Sequence, residues 1–156
     1  MAACVLAVPS RAQATQAAAA ISVSPTALSF TSTGITSQYI AANTTLAITG
    51  QITTKFGTGS LQMLSPADIT GSGGGLLKIS YFSMTCAGSA QAGASYVASK
   101  TPLVASSTVN CATFANGYDS TTLGGINVTL SLFLDERTLS ADTYPATNFT
   151  IVASAT

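Results

Sequence analysis

The sequence predicts an all-β fold, specifically an immunoglobulin-like antiparallel β-sandwich. Three observations carry that expectation: period-2 alternation of apolar and polar residues, several short strands of the same kind, and turn residues between them roughly every eight to twelve positions. The alternation is clearest near the end of the chain. There Ile126, Val128, Leu130, Leu132 and Leu134 alternate with Asn127, Thr129, Ser131, Phe133 and Asp135, as a strand with one buried face requires. A polar turn follows, and then Phe149, Ile151 and Ala153 alternate with Asn148, Thr150 and Val152. Together they read as an antiparallel strand pair closing the chain.

The remaining elements follow in order. Residues 17–23 (AAAAISV) read as a strand with Ile21 and Val23 on one face, stopped by Pro25, which has no N–H to donate. Leu28 and Phe30 resume the same spacing, and Gly34 marks a turn. Leu46, Ile48 and Ile52 alternate with Thr45, Ala47, Thr49 and Thr53, Gly57 and Gly59 punctuate the chain, and Leu61 to Leu64 is a further short strand. Ser65-Pro66-Ala67-Asp68 is compatible with one helical turn, and Gly71-Ser72-Gly73-Gly74-Gly75 reads as a mobile connector. Leu76 to Cys86 is apolar on both faces and is expected to be a central strand. A short strand is expected near Tyr96 and Val97 and another over Thr108 to Phe114, with Asn116-Gly117 as a strong turn signal. No internal repeat or linker divides the chain, so residues 15–156 are expected to form one domain, of a size that supports a two-layer core.

Composition points to export. Charged residues make up only 6% of the chain, five basic and five acidic, so the basic footprint of a nucleic-acid binder is missing and no nucleic-acid partner is expected. Ser and Thr supply more than a quarter of the residues, which suits strands and turns in an extracellular β protein. The apolar run Ala2–Val8 followed by Ala12-Gln13-Ala14 has the A-x-A form of a signal-peptidase site, so residues 1–14 are expected to be a signal-peptide remnant. The alternative is a disordered alanine-rich tail. No segment is long enough to span a membrane. The expected location is therefore secreted: periplasm, cell surface or extracellular medium. Removing the leader takes Cys4 and leaves Cys86 and Cys111, an even pair that in an exported chain is most simply a disulfide.

Chemistry is narrowed as much by what is missing. There is no histidine, which removes Ser-His-Asp and Cys-His catalysis and His-ligated zinc. Two carboxylates in one cleft would still suffice for glycoside hydrolysis. The acids available are Asp68, Asp119, Asp135, Glu136 and Asp142, all expected to be solvated turn residues. The glycine run at 71–75 lacks the Lys-Ser/Thr and the helix of a phosphate loop. Tyr39, Tyr81, Tyr96, Tyr118 and Tyr144 offer material for a sugar-stacking platform, but half-buried strand positions account for them as well. No catalytic residue, metal site or cofactor is expected, and the chain is not expected to be an enzyme.

Leu139-Ser140-Ala141-Asp142-Thr143-Tyr144, running into Asn148-Phe149-Thr150-Ile151-Val152-Ala153, resembles the terminal hairpin of bacterial spore-coat-protein-U-type subunits. These are similar to pilins of the archaic chaperone–usher pathway, whose ending runs Leu, a small residue, Gly-Thr-Tyr, then a Thr-Phe-Thr-Ile strand. Asp142 stands where that pattern has Gly, and Pro145 follows Tyr144. The stretch Val23 to Phe30 equally resembles the first strand of many bacterial immunoglobulin-like domains. The pilin resemblance implies an incomplete sandwich completed by a strand from a periplasmic chaperone or from another copy of the chain, a mode known as strand addition. The donor would be the N-terminal arm, with Ala17, Ala19, Ile21 and Val23 on its inserting face; otherwise that arm pairs within its own sheet. On this reading the protein is a structural or adhesive surface protein, a fimbrial subunit. The competing expectation is a glycan- or protein-binding accessory domain that uses the loops near Gly71–Gly75 and Ala87–Ser107.

Overall fold

The computed structural model describes residues 17–30, 38–89, 91–134 and 142–156. The expected leader over 1–14, Cys4, the turn at Gly34, Asp135, Glu136 and the start of the pilin-like ending at 139–141 lie outside the described residues. In chain order the strands are β1 (Ala18–Ser24), β2 (Gln38–Ala41), β3 (Leu46–Thr53), β4 (Gly59–Leu64), β5 (Ile69–Thr70) and β6 (Leu76–Leu77). They continue as β7 (Phe82–Ala87), β8 (Ala94–Tyr96), β9 (Thr101–Pro102), β10 (Thr108–Phe114), β11 (Asp119–Leu134) and β12 (Thr150–Ala155). Among the described residues the only helical element is the short 3-10 turn Ile79–Tyr81.

The fold is an all-β sandwich. One sheet has the order β1-β3-β11-β7-β9, with β2 also paired to β11, and the other has the order β12-β4-β10-β8. Every pairing is antiparallel. β5 and β6 form a separate two-stranded ribbon. The long strand β11 is the spine. Its first part pairs with β3 and its last four residues with β2, while Asn127 to Leu132 pair with β7 on the other edge.

The period-2 patterns bury the faces they should. Leu46, Ile48 and Ile52 from β3 meet Ile126, Val128, Leu130 and Leu132 from β11 in one apolar cluster. The second sheet contributes Leu61, Met63, Cys111 and Phe114 to the same cluster. Gly50 breaks the apolar series of β3 for a steric reason. A Cβ there would collide with the Ala20 carbonyl oxygen of β1, and its φ of +143° also suits glycine.

Three local expectations are corrected. The last two strands do not pair with each other: β11 lies in the first sheet and β12 lies against β4 in the second. Alternation fixes which face is buried but not which neighbour is paired, and both edges of β11 are already occupied. The apolar stretch 76–86 is not one strand but the sequence β6, 3-10 turn, β7. Residues 65–68 form no helical turn. Instead the Asp68 carboxylate accepts a hydrogen bond from the Ile79 N–H at 2.8 Å, which ties the chain ahead of β5 to the start of the 3-10 turn.

Candidate functional site

Two strands end their sheets on the same flank of the sandwich, β1 in the first and β12 in the second. Toward one pole both give way to irregular chain, residues 25–30 after β1 and 142–149 before β12. These two segments are the lips of an apolar cleft of about 660 Å³. Its floor is the core itself, including Leu46, Met63, Ile69, Phe82, Leu130 and Leu132. The cleft is thus a place where the two layers have not closed over each other. Among the described residues no carboxylate lines it.

Aromatic rings span the floor. Phe82 meets Phe30 edge-on at 5.6 Å between ring centroids and Phe149 at 5.5 Å, so one buried ring contacts a residue from each lip. Each lip is also pinned by polar contacts. The first is held by reciprocal bonds between Ser29 and Asn43: the Ser29 N–H donates to Asn43 Oδ1 at 2.9 Å, and the Asn43 N–H to the Ser29 carbonyl at 2.8 Å.

The second lip is held by the glycine loop. The Asp142 carboxylate accepts bonds from the Gly73 N–H at 2.9 and 3.1 Å, the Gly75 N–H at 2.8 Å, its neighbour Thr143 N–H at 2.7 Å and the Ser72 hydroxyl at 3.1 Å. The Ser72 N–H in turn donates to the Thr143 carbonyl at 3.0 Å. The loop closes on itself through Gly71 N–H to the Gly75 carbonyl at 2.7 Å. Glycine is required because a Cβ at Gly71 would overlap the carboxylate, and one at Gly75 would lie 2.9 Å from both Asp142 Oδ2 and the Tyr144 hydroxyl. The mobile connector expected from GSGGG is therefore an ordered cradle of backbone N–H groups around an anion.

The cradle lowers the Asp142 pKa. The Gly73 N–H is the main cause and the Gly75 N–H the next; desolvation opposes them, and Thr143 and Ser72 add smaller lowering effects. A carboxyl held lower in the folded chain than in the unfolded one stabilises the fold above its unfolded pKa. That contribution is lost as pH falls through the lowered value. Urea midpoints measured from about pH 6 down to about pH 2 should fall on the acid side. In Asp142→Asn this part of the pH dependence should be missing.

The other expected positions are dispersed. Cys86 on β7 and Cys111 on β10 form a disulfide between the two sheets, Cα atoms 5.5 Å apart. Of the arm expected as a donor through Ala17, Ala19, Ile21 and Val23, the part Ala18–Ser24 is paired along its length with β3 of its own sheet. Its Ile21 and Val23 pack on the core while Ala17 and Ala19 are exposed. Asp119 accepts a bond from the Thr53 hydroxyl at 3.1 Å, far along the strands from Asp142. The tyrosines share no platform. Tyr118 is buried with its hydroxyl on Gln91, Tyr144 lines the cleft, and Tyr39 lies under the Lys100 ammonium 4.0 Å from its ring centre. Among the described residues no group of three or more His, Cys, Asp or Glu side chains is arranged to hold a metal ion, and no helix is long and apolar enough to cross a membrane.

No family model matches the chain, and no curated protein or solved structure matches it either.

Neither the cleft nor the cradle has a direct signal in the sequence. The cleft is a gap between residues distant in sequence, and the cradle joins positions 69 residues apart. The only local hint is that Gly71, Gly73 and Gly75 recur at every second position, where Gly73 and Gly75 turn their N–H groups to the carboxylate and Gly71 leaves room for it.

Proposed function

We propose that this protein is an exported structural subunit of a surface assembly, of fimbrial type, that associates by accepting an extended strand from another copy or from a periplasmic chaperone. The observation that carries this reading is the apolar cleft between the two terminal edge strands. Its lips at 25–30 and 142–149 are assigned to no strand, and β12 has a ladder partner only on its β4 side among the described residues. An incoming strand supplies what such a flank lacks: main-chain partners along an edge and alternate apolar side chains for the groove. Each aliphatic side chain so buried is worth roughly 1.5–3 kcal/mol, enough for a few of them to hold a subunit in place. The donor segment containing Ala17, Ala19, Ile21 and Val23 occupies an edge strand at home, so donation in trans requires that β1 leave β3. The immunoglobulin-like resemblance of Val23–Phe30 and the pilin-like ending both adjoin this cleft.

The full chain is expected to form multimers that light scattering resolves after size exclusion and that survive mild denaturant. Phe149→Lys, at the mouth of the cleft, should return them to monomers without changing hydrogen exchange in β4 and β10. A chain that stays monomeric at every concentration, and whose melting temperature is not raised by an Ala17–Ser24 peptide, contradicts the reading. The accessory-domain alternative predicts that monomer, together with a glycan or protein ligand. Of its two loops, 71–75 has N–H groups already engaged by Asp142.

A further inference from the structure

The second lip is built as a strap. Inward and outward positions alternate along it, with Asp142, Tyr144, Thr147 and Phe149 partly buried and Thr143, Pro145, Ala146 and Asn148 exposed. Its far end enters the second sheet at Thr150, opposite Leu64. Its near end is fixed by the glycine cradle. Between those anchors it carries no strand assignment, and Tyr144 and Phe149 rest against the cleft.

The near anchor differs in kind from the far one. A six-residue ladder holds the far end. The near end is held chiefly by one side chain, through charge-assisted bonds to the ionised Asp142 carboxylate, beside one backbone bond from the Ser72 N–H to the Thr143 carbonyl. Most of the polar contacts of the near end therefore converge on one carboxylate. The cradle is shaped to that carboxylate: the Gly73 and Gly75 N–H groups donate to Asp142, and Gly71 and Gly75 leave room for it.

We propose that Asp142 and the Gly71–Gly75 cradle form a latch that holds strap 142–149 across the mouth of the cleft, so that the latch governs access to the apolar groove. The inference rests on the strand-accepting reading for the identity of the occupant, but not for the opening itself. With the latch engaged, Tyr144 and Phe149 shield part of the groove from water. With it released, the strap keeps its ladder from Thr150 onward and the weaker contacts along its length, so that it can lift from the groove and bare the floor and the main-chain groups of the lip.

The test uses the full chain and three variants. Asp142→Asn keeps the shape and weakens the charge-assisted bonds, Asp142→Ala removes them, and Gly71→Ala drives a methyl group into the carboxylate's position. Hydrogen exchange read by mass spectrometry should speed up at least tenfold over 143–149 and 72–75 in Asp142→Ala and Gly71→Ala, and by less in Asp142→Asn. Protection in β4 and β10 should not change. Binding of the apolar dye bis-ANS should rise several-fold in the same order. Unchanged exchange at 143–149, or unchanged dye binding, overturns the latch even if the wild-type chain forms multimers. Faster exchange and greater dye binding support the latch even if no variant takes up the Ala17–Ser24 peptide, an outcome that would count against strand addition alone. Should the alanine variants unfold, lost protection in β4 and β10 will report it, and Asp142→Asn then carries the comparison.

Discussion

Replacing Cys86 and Cys111 by alanine is expected to lower the unfolding free energy by about 3–4 kcal/mol, the loop-closure value for a crosslink spanning residues this far apart. The pair is separated by 25 residues and both side chains are fully buried. The bond joins β7 of one sheet to β10 of the other, so its loss acts on the contact between layers and not within either. Urea unfolding of the double variant should therefore show a lower midpoint, and the wild-type chain in reductant should approach it. Coincident midpoints for oxidised wild type and variant would show that the link contributes nothing to stability.

The second large effect is expected at Phe82. Its ring is 4% exposed, touches Phe30 and Phe149 at once, and forms part of the cleft floor. Phe82→Ala should cost about 3–5 kcal/mol, the usual range for deleting a buried ring. It should also free both lips, because each loses its aromatic rest. Thermal melts should show a lowered transition, and hydrogen exchange should quicken over 25–30 and 143–149 together. Phe82→Leu should recover much of the stability but less of the lip protection, since an aliphatic group fills volume without offering two ring edges. A loss confined to one lip would show that the rings are not coupled through Phe82.

The layers were legible because burial alone writes a period-2 pattern. Ile126, Val128, Leu130 and Leu132 lie in the core, and Asn127 faces solvent. Thr108–Phe114 coincides with its observed strand. Partners were less legible, since alternation carries no record of a neighbour: the final two strands follow each other in the chain yet belong to different sheets. The stretch 76–86 misled for a related reason. Its two-sided apolarity comes from a turn that tucks Ile79 inward, not from a continuous central strand. Asp142 was hardest of all. By composition it is one more polar residue in a turn, and only its meeting with the glycines of a distant loop distinguishes it.

The sandwich has unlike ends. The cleft opens near Val23, Leu46 and Ile151, whereas Ala18 lies beside Thr53 and the carbonyl of Thr156 accepts a bond from the Lys55 N–H at the other end, next to the largely bare ring of Phe56. A neighbour that reaches into the opening from its own opposite end makes a contact between two different surfaces, and that contact repeats with every added copy. Such head-to-tail association has no built-in stopping point unless the rotation per step closes a ring. On the strand-accepting proposal, the product is a polar thread whose two tips are chemically distinct.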